Sequence, residues 1–211
     1  MKVIIFGTGD CAKLAKFYLD NDSKYKPIAF TEDKNYIKEK MIDGIPVIPF
    51  EEINADNTNS YFFAPLYSNQ LRKKKSEEIK QKGFKLISYI SSKAVCFGKV
   101  GENCFIMEQN TIQPFVEIGN NVIMWSGNHI GHHSLVKDNV FISSHVVISG
   151  HCEINEFCWL GVNSTVKENT ILAKGTFVAM SAAICKNTLE NKIYMGIPAK
   201  EKQEHDTTKK K

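Results

Sequence analysis

The sequence predicts a small α/β unit joined to a parallel β-helix of triangular section, and three observations carry that prediction. A large apolar residue recurs every sixth position through the second half. A compact residue follows each of them four places later. The first ninety residues alternate apolar strands with amphipathic or charged helices around a glycine turn. The expected boundaries are 1–92 for the α/β unit, 93–200 for the β-helix and 201–211 for a disordered tail.

The six-residue period begins at Val100 and runs through Ile106, Ile112, Ile118, Met124, Ile130, Val136, Ile142, Ile148, Ile154, Leu160, Val166, Leu172 and Val178 to Ile184. With about a third of positions aliphatic or methionine, fifteen successive hits are not an accident. The companion series runs from Cys104, Asn110 and Val116 to Ala182 and Thr188, nearly all compact side chains. A period of six suits neither a 3.6-residue helix nor a hairpin ladder. It suits a solenoid in which each hexad makes one side of a triangle and about eighteen residues make one coil.

The first half reads differently. "KVIIFGTGDCAKLAKFYLDN" is an apolar strand, a glycine turn and an amphipathic helix. Gly7, Gly9 and Ala12 fall in a G-x-G-x-x-A arrangement, which lets backbone N–H groups and a helix N-terminus face a phosphate. "PIAFTED" predicts a second strand ending at Glu32 and Asp33, where ribose-binding acids sit in such folds. "IPVIPFEEI" and "SYFFAPLYSN" predict two more strands, "QLRKKKSEEIKQKGF" a charged helix and "KLISYIS" a last strand. This is half of a doubly wound sheet, too short for a dinucleotide and better sized for a nucleotide-linked ligand. The expected nucleotide contacts are Gly7, Thr8, Gly9, Asp33 and Lys34, with Tyr67 and Asn69 from the strand-end "PLYSN".

Composition sets limits on partners. Net charge is only +4, with 43% hydrophobic content, and several positives lie in the last residues, so no basic face argues for nucleic acid. No apolar run approaches a membrane span and none resembles a signal-peptide core, so a cytoplasmic protein is expected. Six cysteines without a CxxC pair read as reduced, mostly packed thiols. The tail after Lys200 has almost no apolar content.

Five of the six histidines lie between His129 and His151. Coil arithmetic sets Gly150 eighteen residues after His132, in the same column, where a missing side chain leaves room beside the imidazole. His133 stacks on His151, and His145 and His129 fall on other faces, so no single cage of imidazoles is expected. Trp125, Phe141 and Trp159 occupy outward places in their hexads, an aromatic surface of the kind that marks contacts.

These repeats, with "KIYMGIPAKEK" closing the last coil, resemble the hexapeptide-repeat acyltransferases, whose coils wind left-handed. The added α/β cap resembles one family among them, the sialic acid O-acetyltransferases and the bacterial nucleotide-amino-sugar N-acetyltransferases, across nearly the whole chain to Lys200. The resemblance implies a half-Rossmann-like cap holding the nucleotide of a sugar donor, and a homotrimer binding acetyl-CoA between neighbouring β-helices without a metal. It implies that His132, in "IGHHS", is the general base. The family commonly follows this histidine with an acid; here His133 follows, and holding the tautomer of His132 falls to it. Gly150, Gly161, Ser181 and Lys186 are the implied coenzyme contacts, Gly150 also as an N–H donor to the oxyanion. The implied reaction is acetyl transfer to the amine of a nucleotide-linked amino-dideoxy sugar, of the 4-amino-4,6-dideoxy kind, for surface glycan synthesis. Sugar or sialic acid O-acetylation is the alternative, ahead of a γ-type carbonic anhydrase or a non-catalytic nucleotide-sugar scaffold.

Overall fold

A computed structural model describes residues 1–54 and 60–204. The chain divides into two compact units, Met1–Tyr89 and Ile90–Lys211. In the first, β1 (Lys2–Phe6) leads through α1 (Asp10–Asn21) to β2 (Lys26–Glu32), followed by β3 (Met41–Ile42), β4 (Ile45–Pro49), β5 (Tyr61–Phe63) and α2 (Asn69–Gln81). The sheet order is β3-β4-β2-β1-β5, with β4, β2, β1 and β5 parallel and β3 antiparallel to β4.

Val3, Ile4, Ile5 and Phe6 are all buried, the unbroken apolar run expected of a strand covered on both faces. α1 begins after Gly9 and buries Ala12, Ala15 and Leu19, its i, i+3, i+7 stripe. Ser68 caps α2, its hydroxyl accepting from Leu71 N–H at 3.4 Å. The strand expected over "KLISYIS" shrinks to a bridge between Phe62 and Leu86 and a two-residue strand at Tyr89–Ile90. The order reverses between β1 and β5, which places a crevice at the carboxyl ends of those two strands.

The second unit is a parallel β-helix. Its first face stacks strands 95–96, 111–112, 129–130, 147–148, 165–166 and 183–184. The second stacks 99–100, 117–118, 135–136, 153–154 and 171–172. The third runs from 105–106 through 123–124, 141–142 and 159–160 to 177–178 and on to Lys192–Met195. Register advances by eighteen per coil, as in Thr111↔His129↔Val147, and by sixteen at the two ends, Val95↔Thr111 and Phe177↔Ile193.

The interior is the one the period predicts. From Ile106 to Ile184 every residue of the large series is at most 4% exposed, and the compact series is buried throughout. Several polar members of that series bond to the coil edges: Asn128 donates to Trp125 O and its Oδ1 accepts from Val146 N–H at 2.7 Å, whereas the buried Ser164 hydroxyl has no partner among the described residues. Asn103, Asn121 and Asn139 form a side-chain amide ladder at 2.9 and 3.1 Å along one edge.

Two expectations change. Lys200–Glu204 is a strand paired antiparallel with Lys192–Met195, where a disordered tail was expected from residue 201; backbone pairing orders it without apolar side chains. Residues 205–211 lie outside the described ones. Phe141 is 1% exposed and its ring lies 3.9 Å from that of Trp159 at 15°. Phe141 and Trp159 therefore stack on each other within the chain, and Phe141 offers no open contact surface. No helix among the described residues is long and apolar enough to cross a membrane.

Candidate active site

Three edges of the β-helix are built from left-handed residues, one per coil. Phe115, His133 and His151 have φ of 67°, 57° and 56° and form one such column, on the edge that follows the first face. Asn, Asp and His tolerate this region better than most residues. The column is a stack of rings: Phe115 on His133 at 4.6 Å, and His133 on His151 at 4.9 Å with planes 15° apart.

His132 precedes His133 on this edge. Side chains that are consecutive in a strand point to opposite faces, which argues against contact between the two imidazoles. These residues are in the turn, and the left-handed conformation of His133 removes the alternation. Nδ1 of His132 lies 3.1 Å from Nδ1 of His133, and the His132 backbone N–H donates to Gln113 Oε1 at 2.8 Å. The His151 N–H donates to His132 O at 2.9 Å, tying the coils together.

The expectation that separate columns keep the histidines apart does not hold. His132 comes within 5.1 Å of His151, ring centre to ring centre, because neighbouring columns converge at a sharp edge. His145 sits on the edge preceding the first face, against Gly127, and His129 is on the first face itself.

Gly150 is beside His132, but the space it leaves is filled. A Cβ there would lie 2.7 Å from His132 Cε1 and 3.0 Å from Nε2. The imidazole therefore rests on the glycine. The empty slot predicted beside the base is the seat of the base, and no room for a thioester remains on Gly150 itself.

The other coenzyme candidates fall on two edges. Lys186 shares the His132 edge and lines an open cleft of about 590 Å³ with Lys167, Glu168, Asn169 and Cys185. Ser181 is exposed at φ 56° on the edge preceding the first face. Gly161, near the same edge, is buried, and a Cβ there would lie 2.6 Å from Met180 N, so close packing of coils accounts for that glycine.

In the α/β unit the predicted nucleotide residues gather at the carboxyl ends of β1, β2 and β5. Gly7 N–H donates to Thr31 O at 2.8 Å, and a Cβ on Gly7 would lie 3.2 Å from Leu66 Cδ2. Thr8 and Gly9 complete the turn, and Gly9 caps α1 without a side-chain capping bond. Asp33 accepts from Lys75 Nζ at 2.7 Å, so one carboxylate oxygen is committed. Lys34 turns toward Glu51, whose carboxylate accepts its backbone N–H at 3.1 Å, and Glu52, 3.6 Å from its Nζ. Tyr67 is 42% exposed, and burial of part of its ring with Cys11 nearby raises its phenol above the usual range.

Sequence reading missed two buried cations here. Arg72 is fully buried and donates to Leu66 O, to Tyr67 O at 3.2 Å and to Asn69 Oδ1 at 2.8 Å, fixing the loop that carries Tyr67 and Asn69. Burial pushes the Cys11 thiol up to about 11, opposed by the Arg72 charge. Lys75, only 5% exposed along its side chain, also bridges to Glu78 at 2.7 Å and lies over Phe6 and Phe50. Burial alone lowers the Lys75 ammonium, and the bonds to Asp33 and Glu78 outweigh it and hold the group above its ordinary value. Both residues look like surface charges in "QLRKKKSEEIK"; the only signal is the helical i, i+3, i+7 spacing of Arg72, Lys75 and Ile79.

A family model for the bacterial transferase hexapeptide (six repeats) matches residues 98–132. Among solved structures, a His-to-Asn mutant of perosamine N-acetyltransferase from Caulobacter crescentus, in complex with CoA and GDP-perosamine, superposes with a TM-score of 0.90 at 21% identity. That match covers 97% of this chain and 98% of that one. The acetyltransferase domain of PglB from Neisseria gonorrhoeae gives 0.86 at 22% identity over 95% and 98% of the two chains. WeeI from Acinetobacter baumannii gives 0.82 at 18% over 95% and 100%. The repeats thus form a hexapeptide-type left-handed β-helix, and the chain shares the fold of these solved structures over nearly its whole length.

Proposed function

We propose that the protein is an acetyl-CoA-dependent N-acetyltransferase acting on the amino group of a nucleotide-linked amino-dideoxy sugar, of the 4-amino-4,6-dideoxy kind, for surface glycan synthesis. The observation that carries this reading is the setting of His132: exposed, seated on Gly150, with Nδ1 3.1 Å from His133 Nδ1. In this reading His132 carries its proton on Nδ1 and donates it to His133 Nδ1, which leaves His132 Nε2 as the acceptor. His133 thereby serves as the positioning partner. Likeness to perosamine N-acetyltransferase, bound to CoA and GDP-perosamine, supports the choice of amine over hydroxyl.

In this reading the sugar amine attacks the thioester carbonyl while His132 Nε2 takes its proton. The tetrahedral oxyanion collapses, the C–S bond breaks, and the thiolate of CoA leaves with the proton from His132. General-base catalysis of this kind contributes about 10²- to 10⁴-fold. The nucleotide is held at the carboxyl ends of β1 and β5 by the turn Gly7–Gly9, with Asp33 and Lys34 on one side and Tyr67 and Asn69 on the other. Lys186 and the cleft beside it take the coenzyme phosphates.

The split of coenzyme candidates over two edges supports a homotrimer, in which the His132 edge of one copy faces the Ser181 edge of the next and acetyl-CoA lies between. Such an enzyme acts in the cytoplasm, without a metal cofactor. Thiol release from acetyl-CoA, measured against UDP-, dTDP- and GDP-linked amino sugars and their hydroxyl counterparts, tests the proposal. It expects amine-dependent release with at least one nucleotide, and release with hydroxyl sugars alone contradicts it.

A further inference from the structure

The His132 edge carries more imidazole nitrogen than one base requires. His132, His133 and His151 each offer a ring nitrogen, and the three atoms lie within 4.8 Å of one another. All three side chains are exposed. Their positions are fixed by backbone: two left-handed residues one coil apart, joined by the His151 N–H bond to His132 O. We propose that these three imidazoles form a transition-metal site, taking Zn²⁺ or Co²⁺, and that the bound ion is a reversible inhibitor of the transferase because an ion on His132 Nδ1 moves the ring proton to Nε2, the atom that must accept from the amine.

The geometry fits such an ion. Two nitrogens on a tetrahedral zinc at about 2.0–2.1 Å stand about 3.3 Å apart, and the Nδ1 atoms of His132 and His133 already stand 3.1 Å apart. An ion between them replaces the shared proton. His151 is stacked nearly parallel to His133 at 15°, so its lone pair must swing toward the ion, a rotation its exposed ring can make. Water completes the tetrahedron. Imidazole is the ligand type that zinc and cobalt favour over magnesium or calcium, so the site selects against the abundant hard cations. The inhibitory part rests on the assignment of His132 as base, whereas the metal site itself does not.

The test uses the full chain. Equilibrium dialysis with Zn²⁺ alone and the visible absorption of the Co²⁺ form give stoichiometry, affinity and ligand type. The expected result is about one ion per chain, with a tetrahedral cobalt spectrum lacking a sulfur charge-transfer band. His151→Asn, which keeps a residue tolerant of the left-handed conformation, is expected to weaken binding at least tenfold and to raise the zinc inhibition constant by the same factor. Circular dichroism confirms that the variant is folded. Unchanged affinity in His151→Asn, or a sulfur-to-cobalt band placing the ion on a cysteine, overturns the site. Binding that weakens in His151→Asn with no inhibition of acetyl transfer by zinc overturns the inhibitory part. Metal binding at the triad by a protein that transfers no acetyl group keeps the site and overturns the functional reading instead.

Discussion

Replacing Gly150 by alanine moves the imidazole of His132 with a single methyl group. The new Cβ would stand 2.7 Å from His132 Cε1, against ordinary contact at about 3.4 Å, so the ring must retreat by about 0.7 Å or rotate. The backbone at Gly150 is not left-handed, so alanine adds no conformational strain and the effect is confined to the ring. A misplacement of about 1 Å in a catalytic group costs about 10²-fold, equivalent to about 2.7 kcal/mol of barrier. The expected outcome is kcat lowered about 10²-fold, with KM for both substrates within about threefold and the unfolding midpoint nearly unchanged. Steady-state thiol release with the best nucleotide sugar provides the assay. Gly150→Ala with kcat within threefold of the parent would refute the argument that the glycine seats the base.

Four further outcomes follow from the same geometry. His133→Ala removes the partner of His132 Nδ1 and is expected to lower kcat about 10-fold or more; His133→Asp, tolerant of φ 57° and able to accept the same proton, is expected to recover most of it. Leu160→Ala opens a cavity in the solenoid on the third face, opposite the His132 edge, and is expected to cost about 2–5 kcal/mol in denaturant unfolding without altering kcat. At pH 8 a disulfide reagent is expected to label exposed Cys185 rapidly. Cys158, whose thiol burial pushes up to about 12, reacts only on unfolding; its thiolate grows tenfold per pH unit below that value, so native labelling of Cys158 at pH 8 would contradict the buried packing. Lys75→Met removes the cation held by Asp33 and Glu78 and takes the ion-pair partner from Asp33, while Glu78 keeps Lys74 at 3.7 Å. It is expected to weaken nucleotide binding, measured by calorimetry, more than it alters the KM for acetyl-CoA.

The β-helix was legible because its constraint is strictly periodic. Each coil needs one large and one compact inward residue per side, and nothing but Ile, Leu, Val, Met and their like occupies the first series from Val100 to Ile184. The edges were less legible. Strand alternation set His132 and His133 on opposite faces, and only the left-handed φ of His133 brings their Nδ1 atoms together. The same edge draws His151 into contact and turns a column rule into a three-ring cluster. In the α/β unit, the glycine turn and strand ends follow from local pattern. The Lys75–Asp33 pair joins residues forty-two apart and depends on how α2 meets β2, which no local window contains. The burial of Arg72 is of the same kind: its bonds run to the loop before its own helix and to that helix's first residue, Asn69, but only packing of α2 on the sheet takes it out of water.

The most direct measurement is the rate of acetyl transfer by His132→Asn, read as thiol release on an amino-sugar nucleotide, with trimer formation and thermal unfolding as controls on folding. Asparagine keeps a polar group on Gly150 but cannot take the amine proton. The account predicts kcat lower by about 10²- to 10⁴-fold with the nucleotide and CoA still bound. A folded His132→Asn protein that transfers acetyl at the parent rate would contradict it.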